Sequence, residues 1–319
     1  MGMCAPVREA RQPIEQGLRM QLPVFYRPEM AAPSNDSYSP SAGKPTAVVA
    51  DWTANPAIAE AIEVMSFNPA TAQMISQAHN SDYVDGVLSG ELANGFNNHS
   101  TEVAGSLLYT VGSIVAAAKH VLREGRPEHE PSMAVSPTSG FHHANHSHGW
   151  GFCTFNGLVV AAMQLKRLGL ANSVAILDYD YHHGDGTEDI ITRLGLDFIQ
   201  HFSAGSEYRS PADAPRLLEE VNKRFVKAIA RAGHQVDVVL YQAGADQHRD
   251  DPLGGVLSTD ELVDRDRQVF RNAALYGVPL VWNLAGGYQR DKAGSIEPVL
   301  EVHRNTMREC IRVAVHSDY

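Results

Sequence analysis

Between Ile176 and Gly186 the chain gathers three carboxylates and two imidazoles, Asp178, Asp180, Asp185, His182 and His183. On a strand end, residues two apart share a face, so Asp178, Asp180 and His182 point the same way. Asp180 and His182 can jointly grip a divalent ion, and Asp246, in the stretch Ala243 to His248, can supply a third ligand from a different strand. Two carboxylates and one imidazole with an open fourth position form a catalytic zinc pattern, because structural zinc sites are closed by four protein ligands. The ligand set alone also accepts Fe(II) or Mn(II).

A second cluster, Ser139 to His148, contributes the adjacent imidazoles His142 and His143. Facing a metal-activated water, one of them can remove its proton and return it to a leaving group. A carboxylate should orient each ring, and Asp178 and Asp185 are the two acids left over in the metal-strand segment. Gly286-Gly287-Tyr288 places a phenol in a loop whose glycines permit close backbone approach, a donor for a developing oxyanion. Each feature alone has an ordinary structural explanation; their joint occurrence does not. His146, His148, His183, His201 and His248 are read as loop or supporting residues, and Trp52, Trp150 and Trp282 as core or tunnel packing.

The elements that must position these groups alternate from about residue 130 onward, short β-branched runs with helical patterns, which predicts an α/β protein with a mostly parallel sheet. Strands are expected at Met133 to Val135, Val174 to Asp178, Asp197 to Phe202, Val236 to Tyr241 and Pro279 to Leu284. Every unusual polar cluster follows one of them, so the loops converge on one rim at the carboxyl ends of the strands. Helices are expected at Ala57 to Met65, Pro69 to Ala78, Thr101 to Leu122 and Asp213 to Gly233, and from a capping box at Ser258 and Glu261 through Phe270. The stretch from Arg27 to Thr46, with four prolines, is longer than a simple connection and reads as a lid or contact loop. Neither an internal repeat nor a linker is evident. One catalytic domain over 1–319 is expected, with 1–50 as its N-terminal segment and proline-rich loop.

The 319 residues carry a net charge of -11 without a Lys/Arg-rich stripe, which argues against nucleic acid or an anionic membrane as partner and suits a cationic substrate. Cys4, Cys153 and Cys310 are widely spaced and odd in number, which fits a reducing compartment. No apolar run is read as approaching the ~20 residues of a membrane span, and the N-terminus lacks a signal-peptide profile, so a cytoplasmic protein is expected.

Taken together, these residues resemble the zinc-dependent histone deacetylase superfamily, which includes the acetylpolyamine amidohydrolases and shares the arginase/deacetylase fold. The likeness is carried, in order, by Gly140 to Ala144, Gly151 to Asn156, Ile176 to Gly186, Ala243 to Gly255 and Leu284 to Tyr288. It implies a single-domain, mostly parallel sheet of about eight strands flanked by helices, and a metal on Asp180, His182 and Asp246. It further implies a dyad of His142 with Asp178 and His143 with Asp185, Tyr288 as the transition-state tyrosine, and an acyl tunnel lined by Gly151, Phe152 and Tyr208. A structural potassium ion on carbonyls around Asp178, Asp180 and His182 is also implied. A tyrosine rather than a histidine at 288 resembles the members with real deacetylase activity. Departures are Pro137 to Phe141 before the dyad, Asn97 where many relatives carry a rim aspartate, and Gln200 to Gly205 after the third strand.

The expected activity is zinc-dependent removal of acetyl or a similar short acyl group from acetyl-lysine, an acetylated polyamine or another small amine, with His143 as base and His142 in electrostatic support. The alternatives are a ureohydrolase with two manganese ions and a non-catalytic acyl-amine binding protein. A homo-oligomer is compatible with all three.

Overall fold

The computed structural model describes residues 20–32, 37–124, 132–231 and 234–318; Cys4 and Gly233 lie outside them. Strand β1 (Leu22–Phe25) leads through two 3-10 turns, Pro28–Met30 and Pro40–Ala42, into helices α1 (Lys44–Ala54) and α2 (Pro56–Ala61) and strand β2 (Ile62–Met65). Helices α3 (Ala72–Ile75), α4 (Ser81–Ser89) and α5 (Thr101–Val121) precede strand β3 (Met133–Ser136). Three strand-helix repeats complete one side, with α6 (Gly157–Arg167), β4 (Val174–Asp178), α7 (Asp185–Leu194), β5 (Ile199–Ser203) and α8 (Ala214–Ile229). A two-stranded hairpin of β6 (Ala230–Arg231) and β7 (His234–Gln235) leads to β8 (Val238–Gly244), α9 (Thr259–Leu275), β9 (Leu280–Ala285) and α10 (Glu297–Ala314).

Seven strands form one sheet in the order β2-β1-β3-β9-β8-β4-β5, and every ladder in it is parallel. Alternate strand residues feed two different cores, as the period of two requires. Val135, Leu177, Tyr241 and Trp282 join α1, α8, α9 and α10 on one face. Ala134, Ile176, Leu240 and Val281 join α4, α5 and α6 on the other. With both faces covered, β3, β4, β8 and β9 are buried throughout, which is why they read as continuous apolar runs.

The resemblance implied about eight strands, and among the described residues the sheet has seven, close to that number. Between β5 and α8, residues 204–213 hold two 3-10 turns, Ala204–Ser206 and Pro211–Asp213, and no strand. The helix expected over Ala57 to Met65 ends at Ala61, because Ile62, Val64 and their neighbours pair instead with β1. Pro69 to Ala78 contains a single turn, Ala72–Ile75. Helix α8 stops at Ile229, where Ala230 turns extended, and α9 runs past Phe270 to Leu275. Helix α5, with 21 residues, is long and apolar enough by length and composition to cross a membrane, contrary to the expectation from the sequence. It packs as a core helix, with Ser113 Oγ donating to Phe25 O at 2.6 Å.

Candidate active site

The dyad hangs from the loop after β3. Phe141 adopts φ +88°, a strained value for a residue with a side chain, and its ring is locked in the core. That turn sends both following imidazoles inward. His142 Nδ1 lies 2.8 Å from Asp178 Oδ2, while Asp178 Oδ1 accepts Asp180 N and Gln242 Nε2, each at 3.0 Å. His143 Nδ1 lies 2.6 Å from Asp185 Oδ1 at the start of α7, and the two rings are 4.1 Å apart. Each ring is thus held through Nδ1, leaving Nε2 for chemistry.

Burial works against a charge on His142, but Asp178, Asp180 and Asp246 outweigh it and carry the imidazole up to about 9. His143 is driven the other way, by burial and by the charge of His142. The surroundings thus pull the two adjacent rings in opposite directions, His142 up through its carboxylates and His143 down through burial and its neighbour.

Strands β4 and β8 are adjacent, so the loops at their ends bring Asp180, His182 and Asp246 together with one donor atom each inside 4.8 Å. His182 Nδ1 is 3.2 Å from Asp180 Oδ1 and 3.0 Å from Asp246 Oδ2. Main-chain amides fix both acids: His182 N donates to Asp180 at 2.9 Å and Tyr181 N to Asp246 at 3.1 Å. Both carboxylates are buried, and burial plus the charge of Asp180 pushes the Asp246 carboxyl up to about 7. Two buried acids that resist joint ionisation beside an imidazole are suited to a divalent cation, and the set fits zinc with an open position. Among the described residues this is the one three-donor cluster.

The loop after β9 brings Tyr288 to the same rim, 7% exposed, with Phe152 5.7 Å away and Phe96 5.8 Å beyond it. Burial, then the charges of Asp180 and Asp246, push the phenol well above its usual range, so it stays protonated and able to donate. Gly286, at φ +49°, stands where a Cβ would run into the Asp246 carboxylate. Gly151 likewise backs onto the His143 ring. Phe152 is left-handed at φ +64° and Asn97 at φ +59°, and Phe152 N ties the two turns together on Gly95 O at 3.0 Å.

Tyr208 is placed differently from the tunnel role the resemblance implied. It is 1% exposed in the core with Tyr179 and Phe225, and its hydroxyl donates to Glu220 on α8 at 2.7 Å, because the short β5–α8 connection folds it back onto that helix. Trp52 and Trp282 are core residues, whereas Trp150 is 47% exposed and lies tilted against the His143 ring, centroids 4.3 Å apart. His183 pairs with Glu188 at 2.7 Å and His248 with Thr259 at 3.0 Å, as supporting residues do.

Some participants carry no sequence signal. Lys44, inside the segment read as a lid, is fully buried beneath the site, donating to Gly286 O and to Ser139 Oγ at 3.0 Å. Burial draws its ammonium down to about 8, with Asp246 and Asp251 opposing. Ser39, Ser41, Ala42 and Lys44 of that segment are buried, while Tyr38 is exposed; residues 33–36 lie outside the described residues. Arg265 on α9, wholly buried, donates to Gly244 O at 2.7 Å and Tyr179 O at 3.4 Å, directly behind the loops that carry Asp180, His182 and Asp246.

A parallel sheet thus carries, at its strand ends, a carboxylate-rich cluster able to hold a metal ion beside a carboxylate-held histidine pair. The histone deacetylase domain model matches residues 41–204, about half the chain, and the protein belongs to the histone deacetylase family. It is 30% identical to histone deacetylase 2 of Arabidopsis thaliana over 60% of this chain and 51% of that protein. Acetylpolyamine amidohydrolase of Mycoplana ramosa is 29% identical over 50% of this chain and 52% of its own length. The chain thus matches about half the length of each of these two relatives. The crystal structure of acetylpolyamine aminohydrolase from Burkholderia pseudomallei superposes with a TM-score of 0.66 at 16% identity, covering 91% of this chain and 98% of that one, which shows a shared fold.

Proposed function

We propose that the protein is a metal-dependent amidohydrolase that removes acetyl or a similar short acyl group from an amine. The observation that carries this is the juxtaposition of a three-donor cluster able to hold a metal with two adjacent imidazoles, each held by a carboxylate through Nδ1 and so left with Nε2 for chemistry. Zinc, or Fe(II), on Asp180, His182 and Asp246 supplies Lewis acidity and lowers the pKa of water. His143, held by Asp185, takes the proton of the attacking water at Nε2 and delivers it to the departing amine. His142, held by Asp178, stays charged and stabilises developing negative charge. Tyr288 donates its hydroxyl to the oxyanion as the carbonyl carbon becomes tetrahedral. Gly151 and Phe152 line the way in for the acylated chain in this reading, with Phe96 beside Phe152 and Trp150 beside His143.

A structural potassium ion belongs to the same proposal. Of the oxygens it would use, Asp180 O accepts Gln247 Nε2 at 3.2 Å and keeps a second lone pair. Free, buried Cys153 and Cys310 support a reducing, cytoplasmic setting. The single metal cluster among the described residues counts against a binuclear ureohydrolase, and the retained Tyr288 against a non-catalytic binder.

The test is hydrolysis of paired acetyl-lysine peptides and N-acetylputrescine by the zinc-loaded protein, with and without a hydroxamate. Hydroxamate-sensitive release of acetate is expected, and the faster substrate identifies the amine. Urea release from a guanidino compound, with neither amide hydrolysed, would sink the reading.

A further inference from the structure

We propose that Asp251 is a positioning residue that sets the backbone from which the Tyr288 phenol projects, an inference that rests on the role given to Tyr288 above. The Tyr288 turn is built from residues that do not hold a shape by themselves. Gly286 and Gly287 are both left-handed, at φ +49° and +87°, and glycine moves among such conformations more freely than any other residue. The turn is therefore fixed from outside, at both ends. Upstream, Gly286 O accepts from Lys44 Nζ. Downstream, Tyr288 N donates to Asp251 Oδ2 at 2.7 Å.

Asp251 is itself immobilised. Its other oxygen, Oδ1, takes Leu253 N at 3.0 Å, and the residue is 5% exposed. A carboxylate accepting two amides out of water forms short, charge-assisted bonds whose strength is not diluted by solvent. The contact also joins the turns after β8 and β9, adjacent strands in the sheet, so the loop that carries Asp246 and the loop that carries Tyr288 are held at one spacing. Phe152 bears on the phenol ring at 5.7 Å but not on its backbone. Asp251 is thus the anchor between the hinge and the hydroxyl.

The test is a double-mutant cycle on the metal-loaded 319-residue chain, reading kcat and KM for an acetyl-lysine peptide and for N-acetylputrescine, with thermal midpoint and bound metal alongside. Asp251→Ala removes both acceptors; Asp251→Asn keeps the shape but offers one oxygen to two amides. In Asp251→Ala, kcat is expected to fall about 10²-fold with KM and bound metal unchanged. In a Tyr288→Phe background the same substitution is expected to lower kcat less than about 3-fold, because the hydroxyl it positions is gone. Equal losses in both backgrounds, no loss in the first, or a loss that tracks the metal would overturn the proposal. If Asp251→Ala does not fold, Asp251→Asn carries the cycle. If neither substrate turns over, or Tyr288→Phe alone leaves kcat unchanged, it is the role of Tyr288 that has failed. The crystal structure of Asp251→Asn then decides the positioning claim: displacement of Tyr288 with His142, Asp180 and Asp246 unmoved sustains it, and an unmoved Tyr288 overturns it.

Discussion

The histidines show how one side chain takes different work from different surroundings. His142 sits among three carboxylates and is carried up to about 9, while His143, one residue on, is lowered by burial and by that neighbour. His79 is buried with one nitrogen on Asn145 O at 2.9 Å and the other accepting Asn156 N at 2.8 Å, an arrangement only the neutral ring can make. Burial holds it down at about 4. In the unfolded chain it takes a proton near its ordinary value of 6.5. Stability is therefore complete above pH 6.5 and falls as the pH drops towards 4, by about 3 kcal/mol from this ring alone. A urea midpoint that declines across that window, with an NMR titration in which His79 stays neutral at pH 5, is the expected result; protonation of His79 near 6.5 would contradict it. The tandem pair was legible in the sequence because two adjacent imidazoles stand out beside the strand acids. His79 was not, since its partners lie 66 and 77 residues away.

At the scale of elements, the strands that carry the site were the readable ones. β4, β8 and β9 are apolar runs ending in polar clusters, and parallel pairing places those clusters on one rim. β1 was hidden because its four residues include a proline and are buried on both faces, so they show no alternation. β2 was hidden because a helical pattern runs into it from α2. Lys44 and Arg265 were hidden for a different reason: an isolated basic residue usually reads as surface, and only the packing of α1 and α9 against the strand ends buries them. Arg265 also pairs with Asp266, which Thr306 Oγ1 approaches at 2.6 Å. Arg265→Met leaves Asp266 without its cation and two carbonyls without a donor, and is expected to cost about 3–5 kcal/mol in urea unfolding. Breaking the exposed Arg193–Asp189 pair is expected to cost less than about 1 kcal/mol. Comparable losses from the two would show that Arg265 does not brace the strand ends.

Across the whole molecule, a three-layer arrangement with helices on both sheet faces supplies the rigidity that a metal cluster, a histidine pair and a phenol need to stay in register. Three of the four left-handed non-glycine residues among those described, Asn97, Phe141 and Phe152, cluster at this rim. Strain concentrated there is tolerated because the surrounding core fixes it. The sequence disclosed which polar residues gather at the rim; the sheet edge at β5, the backward turn of Tyr208 and the burial of Lys44 under the site depended on loop length and long-range packing that no local pattern encodes. The most direct measurement is metal content by mass spectrometry paired with acetate release, before and after chelation and after zinc is restored, on the protein and on Asp246→Asn. About one divalent ion per chain, activity lost on chelation and restored by zinc, and neither ion nor activity in Asp246→Asn are the expected results. Undiminished acetate release from the metal-free protein would contradict the account.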